Sequence, residues 1–120
     1  MGTRLDAHVA EVLGALDAPF ISYISDQRRW FHRHPELSYQ EAETAAHIID
    51  ELEGLRIRYT YAGVGHAVIG FIDGLDSSRP AIALRADMDA LPGDESTGAD
   101  YTSVNPGAMH ACGHCAHMAI

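Results

Sequence analysis

With 120 residues, 47% hydrophobic and 21% charged, the chain has the balance of one small globular domain, or of part of a larger one, able to bury a core. A formal charge of −9, with eight arginines and no lysine, disfavours nucleic acid and anionic membrane surfaces as partners. No apolar run approaches the roughly 20 residues of a membrane span and the first residues lack a signal-peptide core, so a cytoplasmic protein is expected.

Leu5, Val9, Val12, Leu13 and Leu16 fall at helical spacing between polar neighbours, which predicts an amphipathic N-terminal helix. Pro19 restarts the pattern. Phe20, Tyr23, Ile24, Gln27, Trp30 and Phe31 continue a helical stripe as far as His34, which Pro35 pushes out of the helical region. Ser38-Tyr39-Gln40-Glu41 has the form of a capping box, and Ala42, Ala45, Ala46, Ile49 and Leu52 make the apolar face of a helix that Gly54 should close. From Arg56 the period changes. Residues 57–61 and 66–72 are rich in β-branched and aromatic types around Gly63 and Gly65, which predicts a hairpin.

Asp73-Gly74 is a turn signal, and residues 80–86 read as a short strand buried on both faces. Asp87 and Asp89 then sit at that strand's C-terminal end, the edge where open α/β sheets place their ligands. Two carboxylates there are suited to orienting a ligating histidine or touching a metal, and equally to a polar turn with an Asp cap. Residues 93–106 read as loop. His8, His32, His34, His47 and His66 are read as structural or solvent-facing.

The stretch Met109-His110-Ala111-Cys112-Gly113-His114-Cys115-Ala116-His117-Met118 gathers three of the eight histidines and both cysteines. Thiolate and imidazole are the ligands that borderline-soft ions such as zinc prefer, at about 2.0–2.3 Å, so Cys112 and His114 beside His110, Cys115 and His117 form a local metal-site candidate. The bland alternative is a buried thiol among surface histidines. Two cysteines separated by two residues read as metal-binding or redox-active before they read as a structural disulfide.

Three segments carry a resemblance: Arg28-Arg29-Trp30-Phe31-His32-Arg33-His34-Pro35-Glu36-Leu37-Ser38 with Glu41 and Thr44; Leu84-Arg85-Ala86-Asp87-Met88-Asp89-Ala90-Leu91-Pro92 with Glu95; and Gly107-Ala108-Met109-His110-Ala111-Cys112-Gly113-His114. In order and spacing they resemble successive motifs of the peptidase M20 family. The branch is that of hippurate hydrolases, N-acyl-amino-acid amidohydrolases, N-acetyldiaminopimelate deacetylases and auxin-conjugate hydrolases. The resemblance implies an α/β fold, the N-terminal portion of a mixed-sheet, three-layer zinc-peptidase-like catalytic domain. Helices are expected over about 5–53, strands over about 57–86 and the metal-motif region over about 87–120.

It further implies a dinuclear site of zinc or manganese ions, an N-acyl amino acid or peptide substrate, and a homodimeric parent enzyme. By motif position Cys112 and His114 are metal ligands, the thiolate bridging the two ions, and Asp87 and Asp89 are the acidic pair that acts catalytically or orients. Cys115, His110 and His117 are further candidates for ligation or for support of the ligands. The family usually has Asp where Cys115 stands. In the family the general-base glutamate, the remaining ligands and the lid follow this point, so the expectation is a fragment with little or no activity alone. The alternative from the same residues is a non-catalytic metal-binding remnant holding one ion through Cys112, His114, Cys115 and His117.

Overall fold

The structure, a computed structural model, describes residues 11, 14, 16–76 and 78–120. Of the helix expected over Leu5 to Leu16, all but residues 11, 14 and 16 lies outside the described residues. Helix α1, Ala18–Arg33, opens on Asp17, whose carboxylate accepts from the Phe20 amide at 2.9 Å, with Pro19 in the first turn where its missing N–H costs nothing. It ends at His34, as Pro35 requires.

Helix α2, Ala42–Gly54, departs from the expected capping box. It begins after Glu41, too late for Ser38 to reach its first amides. Glu36 takes that role: its carboxylate accepts from the amides of Glu43 (3.1 Å) and Thr44 (2.7 Å) and from the Thr44 hydroxyl (2.8 Å). The helix ends at Gly54 as expected, but Gly54 is not the left-handed residue. The left-handed position falls on Arg56, φ 57°, with Arg56 N donating to Glu53 O (2.9 Å) and Ile57 N to Leu52 O (2.8 Å), the two bonds of a Schellman end.

The expected hairpin is present. Strands β1, Arg58–Tyr61, and β2, Val68–Phe71, pair antiparallel in the register Arg58 to Phe71 and Tyr61 to Val68, around a short 3₁₀ turn at Val64–His66. Gly70 lies against Leu52 and Ile57, so the hairpin packs on the end of α2. Residues 80–86, by contrast, form no strand. Ile82 and Leu84 are 90% and 96% exposed, because no neighbouring strand among the described residues offers them a ladder or an apolar cover.

A second, two-residue ladder joins β3, Leu91–Pro92, to β4, Ala108–Met109, and an isolated parallel bridge links Leu37 to Ala90. Helix α3, His114–Ala119, follows and packs on α1. The class is α/β. Among the described residues the buried hydrophobic side chains are Phe31, Ala45, Ala90, Ala108 and Cys115, a small core centred where α1, α2 and the last segment meet. Trp30 stacks flat on His47 at 3.6 Å between ring centroids, and Gln27 bridges His47 and Glu51 (2.7 Å each), joining α1 to α2.

Candidate metal centre

Hydrogen bonds to main-chain carbonyls draw the sequence motifs together. Ala90 N donates to Glu36 O (2.8 Å), Val104 N to Arg33 O (2.9 Å), and Asn105 Nδ2 to Pro35 O (2.9 Å), so the end of α1 and its following turn are tied to the second motif and to the loop just before the third. The β3–β4 ladder, with Gly93 N donating to Gly107 O (3.0 Å), then sets the second motif beside the third. Gly107 and Gly113 adopt φ of 81° and 84°, left-handed values that let the backbone turn at both ends of the His-Ala-Cys stretch.

His114 begins α3. Its Nδ1 faces two acceptors of Asp89, the backbone carbonyl at 2.9 Å and carboxylate Oδ1 at 3.1 Å. Two acceptors on one nitrogen require the proton there, so Nδ1 donates and Nε2 presents a lone pair. This is the tautomer and orientation that carboxylate-supported metal-ligating histidines adopt. Cys112, two residues before, is exposed, and so is His117. His110 is buried, 5% exposed, with no hydrogen-bond partner for Nε2; burial, aided by nearby His32 and His114, pushes its pKa down to about 4 and leaves it neutral.

Asp87 and Asp89 part company. Arg85 holds Asp87 through Oδ1 (Nε at 3.0 Å, Nη2 at 2.6 Å) at the surface, whereas Asp89 turns inward to His114. Both, with His114 and Glu41, line an open groove of about 1060 Å³ between β2 and residues 81–89.

Cys115 faces elsewhere. Only 1% exposed, it directs Sγ at His32 Nδ1, 3.7 Å away, and His32 Nε2 lies 3.0 Å from Glu95 Oε1. The Glu95 side chain is 1% exposed and accepts from the Thr97 hydroxyl, His32 and the Ser103 amide (2.8 Å), which together hold its pKa down to about 2. An ionised Glu95 makes Nε2 the donor, so Nδ1 accepts from the Cys115 thiol. Arg28 flanks the same sulfur and stacks on Tyr101 at 5.1 Å. For Cys115 to join Cys112 on one ion it would first have to turn away from His32.

Reading the sequence alone left His32 among the structural histidines and gave Glu95 no role of its own. The available signal was their position inside two of the three motifs. His110 was found by ligand density, but its unpartnered nitrogen depends on packing that no spacing reveals.

The donors suit a borderline-soft divalent ion: Cys112 Sγ, His114 Nε2 with its opposite nitrogen already held, and the unpartnered His110 Nε2. Among the described residues no group of three or more such side chains converges on one point.

Comparison with known proteins follows the same residues. Residues 83–120 match the family model described as Peptidase family M20/M25/M40. The chain is 51% identical over 94 residues to the N-acetyl-L-cysteine deacetylase of Bacillus subtilis, covering 77% of this chain and 22% of that protein. It is 45% identical to the IAA-amino acid hydrolase ILR1-like 2 of Arabidopsis thaliana, covering 78% of this chain and 21% of that protein. Among solved structures it superposes on the Bacillus subtilis YXEP protein, described as a dinuclear metal binding peptidase from the M20 family. That match has a TM-score of 0.81 and 42% identity, over 86% of this chain and 29% of the other. The chain thus spans between about a fifth and a third of the length of these relatives. With three motifs in register, the chain is similar to proteins of the peptidase M20 family, whose model matches residues 83–120.

Proposed function

We propose that these residues form part of the active site of a metal-dependent amidohydrolase that cleaves N-acyl amino acids or related small amides and peptides, using two zinc or manganese ions in the whole, homodimeric enzyme. The observation that carries this reading is His114, locked by Asp89 in the tautomer that leaves Nε2 free, two residues after the exposed thiol of Cys112. The deacetylase and amino-acid-conjugate hydrolase among the relatives support the substrate class.

Cys112 Sγ and His114 Nε2 would hold the metal, with His110 Nε2 behind them as a further donor or support. A divalent ion at such a site supplies Lewis-acid polarisation of the amide carbonyl and lowers the pKa of a water. Asp89 fixes the histidine. Asp87 lines the groove, and both its Arg85 contacts fall on Oδ1, which leaves its other oxygen to carry a proton to the leaving amine. Cys115 serves as packing and hydrogen-bond support for α3 rather than as a ligand.

The test is hydrolysis of N-acyl amino acids by the longest product of the reading frame containing these residues, with zinc or manganese supplied. Wild type should turn over, His114→Ala should lose about 100-fold or more, and the 120-residue chain alone should show little or no activity. Family-like turnover by the isolated chain, or full activity in His114→Ala, would overturn the assignment.

A further inference from the structure

The metal reading leaves one feature unused: the second sulfur of Cys112-Gly113-His114-Cys115. The two thiols are placed asymmetrically. Cys112 is exposed in the turn just before α3, and Cys115 is 1% exposed in the first turn of that helix. The two sulfurs have the Cys-X-X-Cys spacing in which thiol pairs act as redox couples, the second cysteine seated in the helix that follows the turn. Gly113, at φ 84°, gives the turn the freedom to close. We propose that Cys112 and Cys115 form a redox-active dithiol that reacts with low-molecular-weight disulfides, Cys112 as the attacking sulfur and Cys115 as the resolving one.

The exposure decides the order. A small disulfide reaches Cys112 and not Cys115, so the first step is attack of the Cys112 thiolate on one sulfur of the disulfide. That S–S bond breaks, one thiolate leaves and takes up the proton Cys112 gave to solvent, and a mixed disulfide remains on Cys112. Cys115 then turns about χ1 from His32 toward Cys112. Its proton passes to His32 Nδ1, 3.7 Å away, while Glu95 at 3.0 Å from Nε2 supports the charge. Attack of Cys115 on Cys112 Sγ forms the internal disulfide and expels the second small thiolate, which His32 reprotonates through solvent. Two protein thiols are oxidised by two electrons and one small disulfide is reduced to two thiols.

The dithiol stands on the spacing and unequal exposure of the two sulfurs and on the His32 contact. Its consequence rests on the reading of Cys112 as a ligand: a sulfur in a disulfide no longer offers a thiolate, so oxidation removes a donor and releases metal.

The experiment treats the reduced, metal-free chain with glutathione disulfide and follows mass over time, with far-UV circular dichroism checking that each variant keeps its helices. Wild type should pass through a glutathione adduct to a species lighter than the reduced chain by two hydrogen atoms. Cys115→Ser should stop at the adduct, and Cys112→Ser should react about tenfold more slowly or not at all. A wild type that stops at the adduct, or a Cys112→Ser that reacts as fast as wild type, overturns the proposal; since Cys112 is exposed, that variant remains informative even if Cys115→Ser fails to fold. Zinc offered afterwards separates the two readings. Loss of zinc on oxidation supports both, and zinc retained by the oxidised chain sinks the ligand role of Cys112 while the dithiol stands. No internal disulfide, with zinc still dependent on Cys112, sinks the dithiol alone.

Discussion

The single residue that most constrains the site is Asp89, because it decides which nitrogen of His114 is free. Asp89→Asn keeps the carbonyl contact but weakens the second acceptor, so the imidazole gains freedom to flip or change tautomer. We expect metal affinity to fall about 10–100-fold with unchanged helix content, read by zinc titration against a chromophoric chelator. Glu95 yields a pH prediction. Its ordinary value of 4.5 is lowered to about 2 in the fold, so the unfolded chain binds the proton more tightly. The stability Glu95 contributes is therefore present above about pH 4.5 and drains away as pH falls through about 2. Glu95→Gln should flatten that acid limb of the stability curve and cost about 1–3 kcal/mol at neutral pH, measured by urea unfolding. Cysteine and histidine spacing made Cys112 and His114 legible in the sequence. The Glu95, His32 and Cys115 chain was not, since it links residues more than sixty positions apart through burial.

At the level of elements, the sequence named α1 with its end before Pro35, α2 and the hairpin, but misplaced the cap that starts α2 and the left-handed residue that follows it. Ser38 and Glu41 match the capping pattern letter for letter, yet Glu36 from the preceding turn reaches the α2 amides first. A local motif loses when the chain doubles back. Glu36→Ala should therefore destabilise the chain by about 1–2 kcal/mol, while Ser38→Ala should change its thermal midpoint little. The left-handed residue at the end of α2 is Arg56, not Gly54. Arg56→Gly removes a Cβ clash at φ 57° and should stabilise by a few tenths to about 1 kcal/mol, visible as a raised Tm; a lowered Tm would contradict the Schellman assignment. The strand predicted over 80–86 failed for a different reason. Apolar, β-branched composition marks a buried strand, but burial needs neighbours, and Ile82 and Leu84 have none among the described residues.

For the molecule as a whole, the decisive fact is how little apolar surface is enclosed relative to what is shown. Val64, Ile72, Leu75, Ile82, Leu84 and Ile120 are each more than four-fifths exposed, against a buried hydrophobic set whose one large side chain is Phe31. Because the denaturant slope scales with surface exposed on unfolding, the isolated chain should unfold with a urea m-value at or below about 1 kcal/mol/M and bind hydrophobic dyes while native. The family resemblance and the α/β class were readable from three motifs in register, whereas the exposed groove beside β2 was visible only once the packing was known. The central claim is that Cys112 and His114 ligate metal while Cys115 supports them from behind. It is tested most directly by metal content of the reduced chain with zinc and manganese offered together, comparing wild type with Cys112→Ala, His114→Ala and Cys115→Ala. Metal retained by wild type and Cys115→Ala but lost from the other two is the predicted result. Equal loss from Cys115→Ala and Cys112→Ala, or no loss from His114→Ala, would contradict it.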